Sequence, residues 1–205
     1  MMTDGSGYKD IEIDALKEIG SIGGLHASTA IANLIKRDVM VDVSDCFIAK
    51  AEEIPTSFGE REEIVAGVYL DAYSKGKGCM MMILPMKMAV KLSDYMTGRQ
   101  HHEPWMFDEE DYSAIAEIGN ICASSYLSAI SKMIDHVMLP SPPGVAVGML
   151  SAILQYPASL VAEMSDFIVA IRTEFTIEDT KYPGFILYIP DPLSQREILE
   201  KLGVL

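Results

Sequence analysis

The sequence predicts an α+β fold in which two copies of one unit (long helix, strands, short helix) sit about a pseudo-two-fold axis and share a continuous, mainly antiparallel sheet. Three observations predict it. KEIGSIG at residues 17–23 returns as AEIGNIC at 116–122, and the aligned segments 14–35 and 113–134 are identical at eight of 22 positions, which marks a duplication. ILPMKMAVKLSDYMTG (83–98) resembles YIPDPLSQREILEKLG (188–203): in each, an apolar strand ends at Pro, a short helix follows, and Gly stops it. The stretches between these anchors are strand-like in both halves.

Taken in order, the first copy opens with a helix whose Leu16, Ile19, Gly23, Ala27, Ala30 and Leu34 fall on one stripe at 100° per residue. That stripe is expected to face the core, and its small residues predict close packing on a helix or the sheet. Strands are expected in VMVDVSDCFIAKA (39–51), EIVAGVYLDAYS (63–74) and KGCMMMIL (77–84), with SKGKG (74–78) as a hairpin turn. Met80, Met81 and Met82 read as strand core. In the second copy Ile115, Ile118, Cys122, Tyr126, Ala129 and Met133 form the inner stripe, and strands are expected in VAVGMLSAIL, FIVAIRTEFTI and GFILYI. The repeats span about 8–98 and 108–205, joined by a polar connector at 99–107, and are expected to make a single domain of 1–205.

Composition excludes several functions. Sixteen basic against thirty acidic residues give a net charge of −14, which repels nucleic-acid backbones and anionic lipid, so neither is an expected partner. No window holds eighteen uninterrupted apolar residues, so no membrane insertion is expected. The start MMTDGSGYKDIEID has neither a basic nor an apolar stretch, so no signal peptide is expected. Cys46, Cys79 and Cys122 are odd in number and widely spaced, favouring reduced thiols and a cytoplasmic setting.

The outer side of each long helix carries a polar series. Ser113, Glu117, Asn120 and Ser124 lie opposite the inner stripe in the second copy, and Asp14, Glu18 and Ser21 do so in the first. The plain alternative is a solvated face. Against it, Asn is a mediocre helix former, and Gly20 and Gly119 each cost about 1 kcal/mol relative to Ala inside a helix. Glycine beside exposed polar groups is expected to lower the surface so that another molecule can come close. The face therefore reads as one of recognition.

The pattern Ser113-x-x-x-Glu117-x-x-Asn120, followed by Pro142 or Pro143, resembles the signature of the CheC/CheX/FliY phosphatases of bacterial and archaeal chemotaxis, with the CheC branch nearest. The resemblance implies dephosphorylation of the response regulator CheY, with Glu117 engaging the partner and Asn120 orienting the attacking water. It implies no cofactor of the chain's own, Mg²⁺ belonging to the regulator. The first copy departs from the pattern: Asp14 and Glu18 match, but Ser21 replaces the Asn and the region of Val43 and Ser44 lacks the Pro. One competent site and one degenerate site are expected. The alternative is a non-enzymatic adaptor for the receptor deamidase CheD or the flagellar switch. Against CheD stands Gly148, where relatives that bind it tend to carry an acidic residue, and the extra C-terminal domain expected of FliY is not seen.

Other groups are set aside. His101-His102-Glu103 is poor metal-site geometry. Cys122 lies on the inner stripe and reads as a buried, inert thiol. GSIGG (20–24) lacks the Lys-Ser/Thr of a phosphate loop, and Trp105 reads as a loop anchor.

Overall fold

A computed structural model describes residues 10–50, 53–58, 62–100, 107–164 and 168–201. His101, His102, Glu103, Trp105 and the expected helix stop at Gly203 lie outside them. The first half runs α1 (Asp10–Ile35), β1 (Val39–Ala49), α2 (Ile54–Ser57), β2 (Ile64–Tyr73), β3 (Lys77–Pro85) and α3 (Met86–Thr97). The second runs α4 (Glu109–Ile134), β4 (Leu139–Pro140), β5 (Gly144–Met149), α5 (Leu150–Ile153), α6 (Gln155–Met164), β6 (Ile168–Ile177), β7 (Thr180–Ile189) and α7 (Pro192–Lys201).

All strand pairings are antiparallel, in one sheet of order β1-β6-β7-β3-β2-β4, with β5 also on β2. If β1, β2 and β3 correspond to β5, β6 and β7, the order β1-β6-β7-β3-β2-β5 maps onto itself when the halves exchange. This is compatible with the repeat. Each half lends its first long strand to the other: β1 pairs with β6, and β5 with β2.

Both faces of the sheet are covered. One core lies under α1, α3, α4 and α7 and includes Ile31, Val68, Met80, Met82, Ile118, Cys122 and Tyr126; the other, under α2, α5 and α6, includes Ile54, Phe58, Met81, Ile83, Leu150 and Leu187. The methionine run alternates between them, and all three are buried, as a central strand requires.

Local chemistry fixes the element ends. The Ser74 N–H donates to the Gly76 carbonyl in the β2–β3 hairpin. Gly98 closes α3 in the left-handed region at φ 71°, a conformation glycine adopts without strain, its N–H donating to the Asp94 carbonyl. Asp191 caps α7 through the N–H groups of Leu193 and Ser194.

Two expectations need correction. The run 145–154 does not continue as a strand: β5 ends at Met149, and Leu150 and Leu154, four apart, are buried on a helical turn. A short apolar run has no periodicity to separate the two forms. In α1 the buried stripe runs Leu16, Gly20, Gly23, Ala27, Ile31 and Ile35, while Leu34 is exposed. Close packing is realised at Gly23, where a Cβ would lie 2.9 Å from the Tyr126 ring of α4.

Candidate functional site

Helix α4 carries the outer face, and its start is held firmly. Asp108 is the N-cap, accepting from the Glu110 and Asp111 N–H groups, while the Asp111 carboxylate accepts from the Asp108 N–H at 2.9 Å. Arg99, just past α3, pairs bidentately with Asp108 at 2.6 and 3.0 Å and reaches Asp111 at 2.9 Å; the Ser93 hydroxyl donates to Asp111 at 2.6 Å. Ser93 and Asp111 are fully buried while Arg99 and Asp108 reach solvent, so α3 and α4 are joined through a charge-assisted network anchored inside the protein. Asp111→Ala would leave the buried Ser93 hydroxyl without its acceptor and remove one of the carboxylates that hold the Arg99 guanidinium. We expect it to lower stability by about 2 kcal/mol, read as a Tm fall of roughly 4–8 °C.

Arg99 holds the Asp108 carboxyl below the usual carboxylate range. Its stabilising contribution is therefore complete above pH about 4 and lost as the pH falls below that.

From this base Ser113, Glu117 and Asn120 rise along one side of α4. Ser113 and Glu117 are exposed; Asn120 is half-buried rather than fully open to solvent. Among the described residues neither the Glu117 nor the Asn120 side chain has a hydrogen bond or ion pair. Beside them opens a hollow of about 560 Å³ lined by Met96, Thr97, Glu110, Ser113, Glu117 and Pro143. Of the two candidate prolines, Pro143 forms this wall and Pro142 does not; Asn120 stands one turn further on, outside the lining. The proline loop is stitched to β2: the Asp71 N–H donates to the Ser141 hydroxyl and the Ser141 N–H to the Asp71 carbonyl, both at 2.9 Å. Sequence reasoning missed Met96, Thr97 and Glu110. The first two come from a segment remote from the motif, and Glu110 precedes it among other acidic residues.

The glycines do not lower the outer surface. Gly119 is buried against β2, where a Cβ would lie 2.4 Å from Val68 Cγ1, and Gly20 faces Val43 and Ile171. Each lies four residues from a core residue, Ile115 or Leu16, so it belongs to the inner stripe and lets its helix settle on the sheet.

The first copy is built differently. Asp14, Glu18 and Ser21 are exposed, but the Ser21 hydroxyl donates back to the Lys17 carbonyl at 2.9 Å. Lys17, where the second copy has Ala116, pairs with Asp45 at 3.3 Å, placing an ammonium beside this face. Instead of a proline loop, β1 runs on with a bulge at Ser44, whose hydroxyl donates to the Arg172 carbonyl. Cys122 is buried, and burial pushes its thiol up to about 12, leaving no nucleophile at neutral pH.

Residues 111–147, from the network at Asp111 through the proline loop into β5, match the model of the CheC-like family. With its fold, the chain is thus similar to the CheC/CheX/FliY family. It is similar to the CheY-P phosphatase CheC of Bacillus subtilis (strain 168), at 27% identity over 207 residues, covering 97% of each chain. Among solved structures it resembles FliY of Thermotoga maritima, with a TM-score of 0.76 and 20% identity over 96% of this chain and 98% of that one. It also resembles a chain of the FliG–FliM complex from H. pylori, with a TM-score of 0.66 and 12% identity over 94% and 100%. These structural likenesses establish the fold. No helix among the described residues is long and apolar enough to cross a membrane.

Proposed function

We propose that this chain hastens hydrolysis of the aspartyl phosphate on a phosphorylated CheY, using α4 as its working face. One observation carries the reading: Glu117 and Asn120 stand at the outer side of a rigidly held helix, beside an open hollow and without side-chain partners among the described residues. An acyl phosphate is already activated, so catalysis consists mainly of placing water in line with phosphorus. A carboxamide suits this, since its oxygen accepts from the water, its nitrogen donates, and it does not titrate. Asn120 takes that role. Glu117, at the acidic hollow it shares with Glu110, pairs with a lysine of the partner and sets the register. Mg²⁺ is assigned to the regulator.

The Asp14, Glu18 and Ser21 face is proposed to be degenerate, since the Ser21 hydroxyl is short and turned into its own helix. The test is the decay of phosphorylated CheY with catalytic amounts of the chain. Glu117→Ala is expected to slow assisted decay by at least 10-fold and Glu18→Ala by less than two-fold. Equal effects would make the two faces equivalent, and no acceleration by the parent chain would remove the reading.

A second reading, a non-enzymatic module of the flagellar switch, is favoured by the fold shared with a chain of the FliG–FliM complex. Stable binding of a switch protein with no phosphate release would select it. CheD in place of a switch protein would give the deamidase version, against which Gly148 stands.

A further inference from the structure

We propose that the concave basic surface at the C-terminal end of α3 is a second contact for the phosphorylated regulator, taking carboxylates on the partner's surface next to its aspartyl phosphate. The inference rests on the phosphatase reading. A chain of net charge −14 that must approach an anionic phosphoryl group is repelled at long range, unless the charge is locally inverted where the partner lands.

Such an inversion lies beside the hollow. Arg37, Lys87, Lys91 and Arg99 line one cavity of about 630 Å³. Arg99 is committed to Asp108, Asp111 and Glu110, a cluster in which the carboxylates outnumber it, so it adds no surplus. Arg37 and Lys91 share a single carboxylate, Glu178, at 3.5 and 3.2 Å. Lys87 is exposed and has no partner among the described residues. Outside the Arg99 cluster, three cations (Arg37, Lys87 and Lys91) face two carboxylates (Glu178 and Asp94).

Two features set this apart from an ordinary solvated face. Lys87 and Lys91 are four apart on α3, a spacing at which like charges repel, so the arrangement works against the helix that carries it. The Tyr95 ring lies 5.2 Å from the Arg37 guanidinium and 5.7 Å from the Lys91 ammonium, while its hydroxyl holds Glu178, so the cations are fixed before any partner arrives.

Position completes the argument. The last turn of α3 walls both cavities: Met96 and Thr97 face the hollow of Glu117, whereas Tyr95, Gly98 and Arg99 face the basic surface. A protein seated over Glu117 therefore borders the cations.

The experiment uses the full chain and phosphorylated CheY. Lys87→Glu is expected to raise KM about 10-fold with kcat within two-fold, and to flatten the dependence of kcat/KM on ionic strength. Lys132→Glu makes the same charge change on the exposed side of α4, about 22 Å along the helix from Glu117, and is expected to move KM by less than two-fold. An unchanged KM and salt dependence in Lys87→Glu would overturn the contact. An equal rise in Lys132→Glu would also do so, since net charge alone would then act. If the parent gives no turnover, the phosphatase reading fails by itself. The affinity of Lys87→Glu for beryllofluoride-loaded CheY then decides the contact: a loss of about 10-fold upholds it and parity overturns it.

Discussion

Replacing Asn120 with alanine is expected to reduce assisted hydrolysis of phosphorylated CheY by roughly 10²-fold while leaving affinity for the regulator within two-fold. The amide is proposed to act only when water attacks phosphorus, so its loss should lower kcat and kcat/KM together. The substitution breaks no side-chain hydrogen bond, because the Asn120 amide has none among the described residues. Alanine is also the better helix former, so the variant should be more stable by about 0.5 kcal/mol. Activity down with stability up is a signature that a structural role for Asn120 could not produce. Decay of the phosphorylated regulator followed beside thermal unfolding reads both. A variant as fast as the parent would take the amide out of the reaction.

The second large effect is on the fold beneath the site. Gly119→Ala should raise helix propensity by about 1 kcal/mol, yet we expect it to destabilise by about 3 kcal/mol net. The new methyl would sit 2.4 Å from Val68 Cγ1 and 2.8 Å from Val68 Cβ, and a Cβ cannot rotate away. Val68 is on β2, so relief would need α4 to lift, carrying Glu117 and Asn120 with it. Val68→Ala alone should cost about 2 kcal/mol as a cavity. In the double variant the methyl fills part of that space, so the two losses should not add. Denaturant unfolding of the four proteins measures the coupling; additive losses would mean that α4 does not rest on Val68.

Much of this was legible in the sequence. Periodicity separated Glu117 and Asn120 from Ile115, Ile118, Cys122 and Tyr126 because a long helix repeats its faces many times. The Pro85 and Gly98 boundaries of α3 were readable because both residues are restricted by backbone geometry. Gly119 was readable too, lying four residues from Ile115, but was taken as a dip in the outer surface rather than a seat on β2. The turn at Leu150 and the hollow's α3 wall were not readable. The turn is a short apolar run, and Met96 and Thr97 reach α4 only through tertiary packing. The exchange of β1 and β5 was equally hidden, since local pattern does not say which distant strand completes a ladder.

That exchange bears on how the chain is made. Val39 pairs with Ile177, so at about 5–20 residues per second β1 waits roughly seven to thirty seconds on the ribosome before its neighbour emerges. Throughout that interval it is an open edge able to join a stranger. Asp42, Asp45 and the irregularity at Ser44 lie within it, features that discourage such pairing, and they guard the nascent polypeptide as well as the finished molecule.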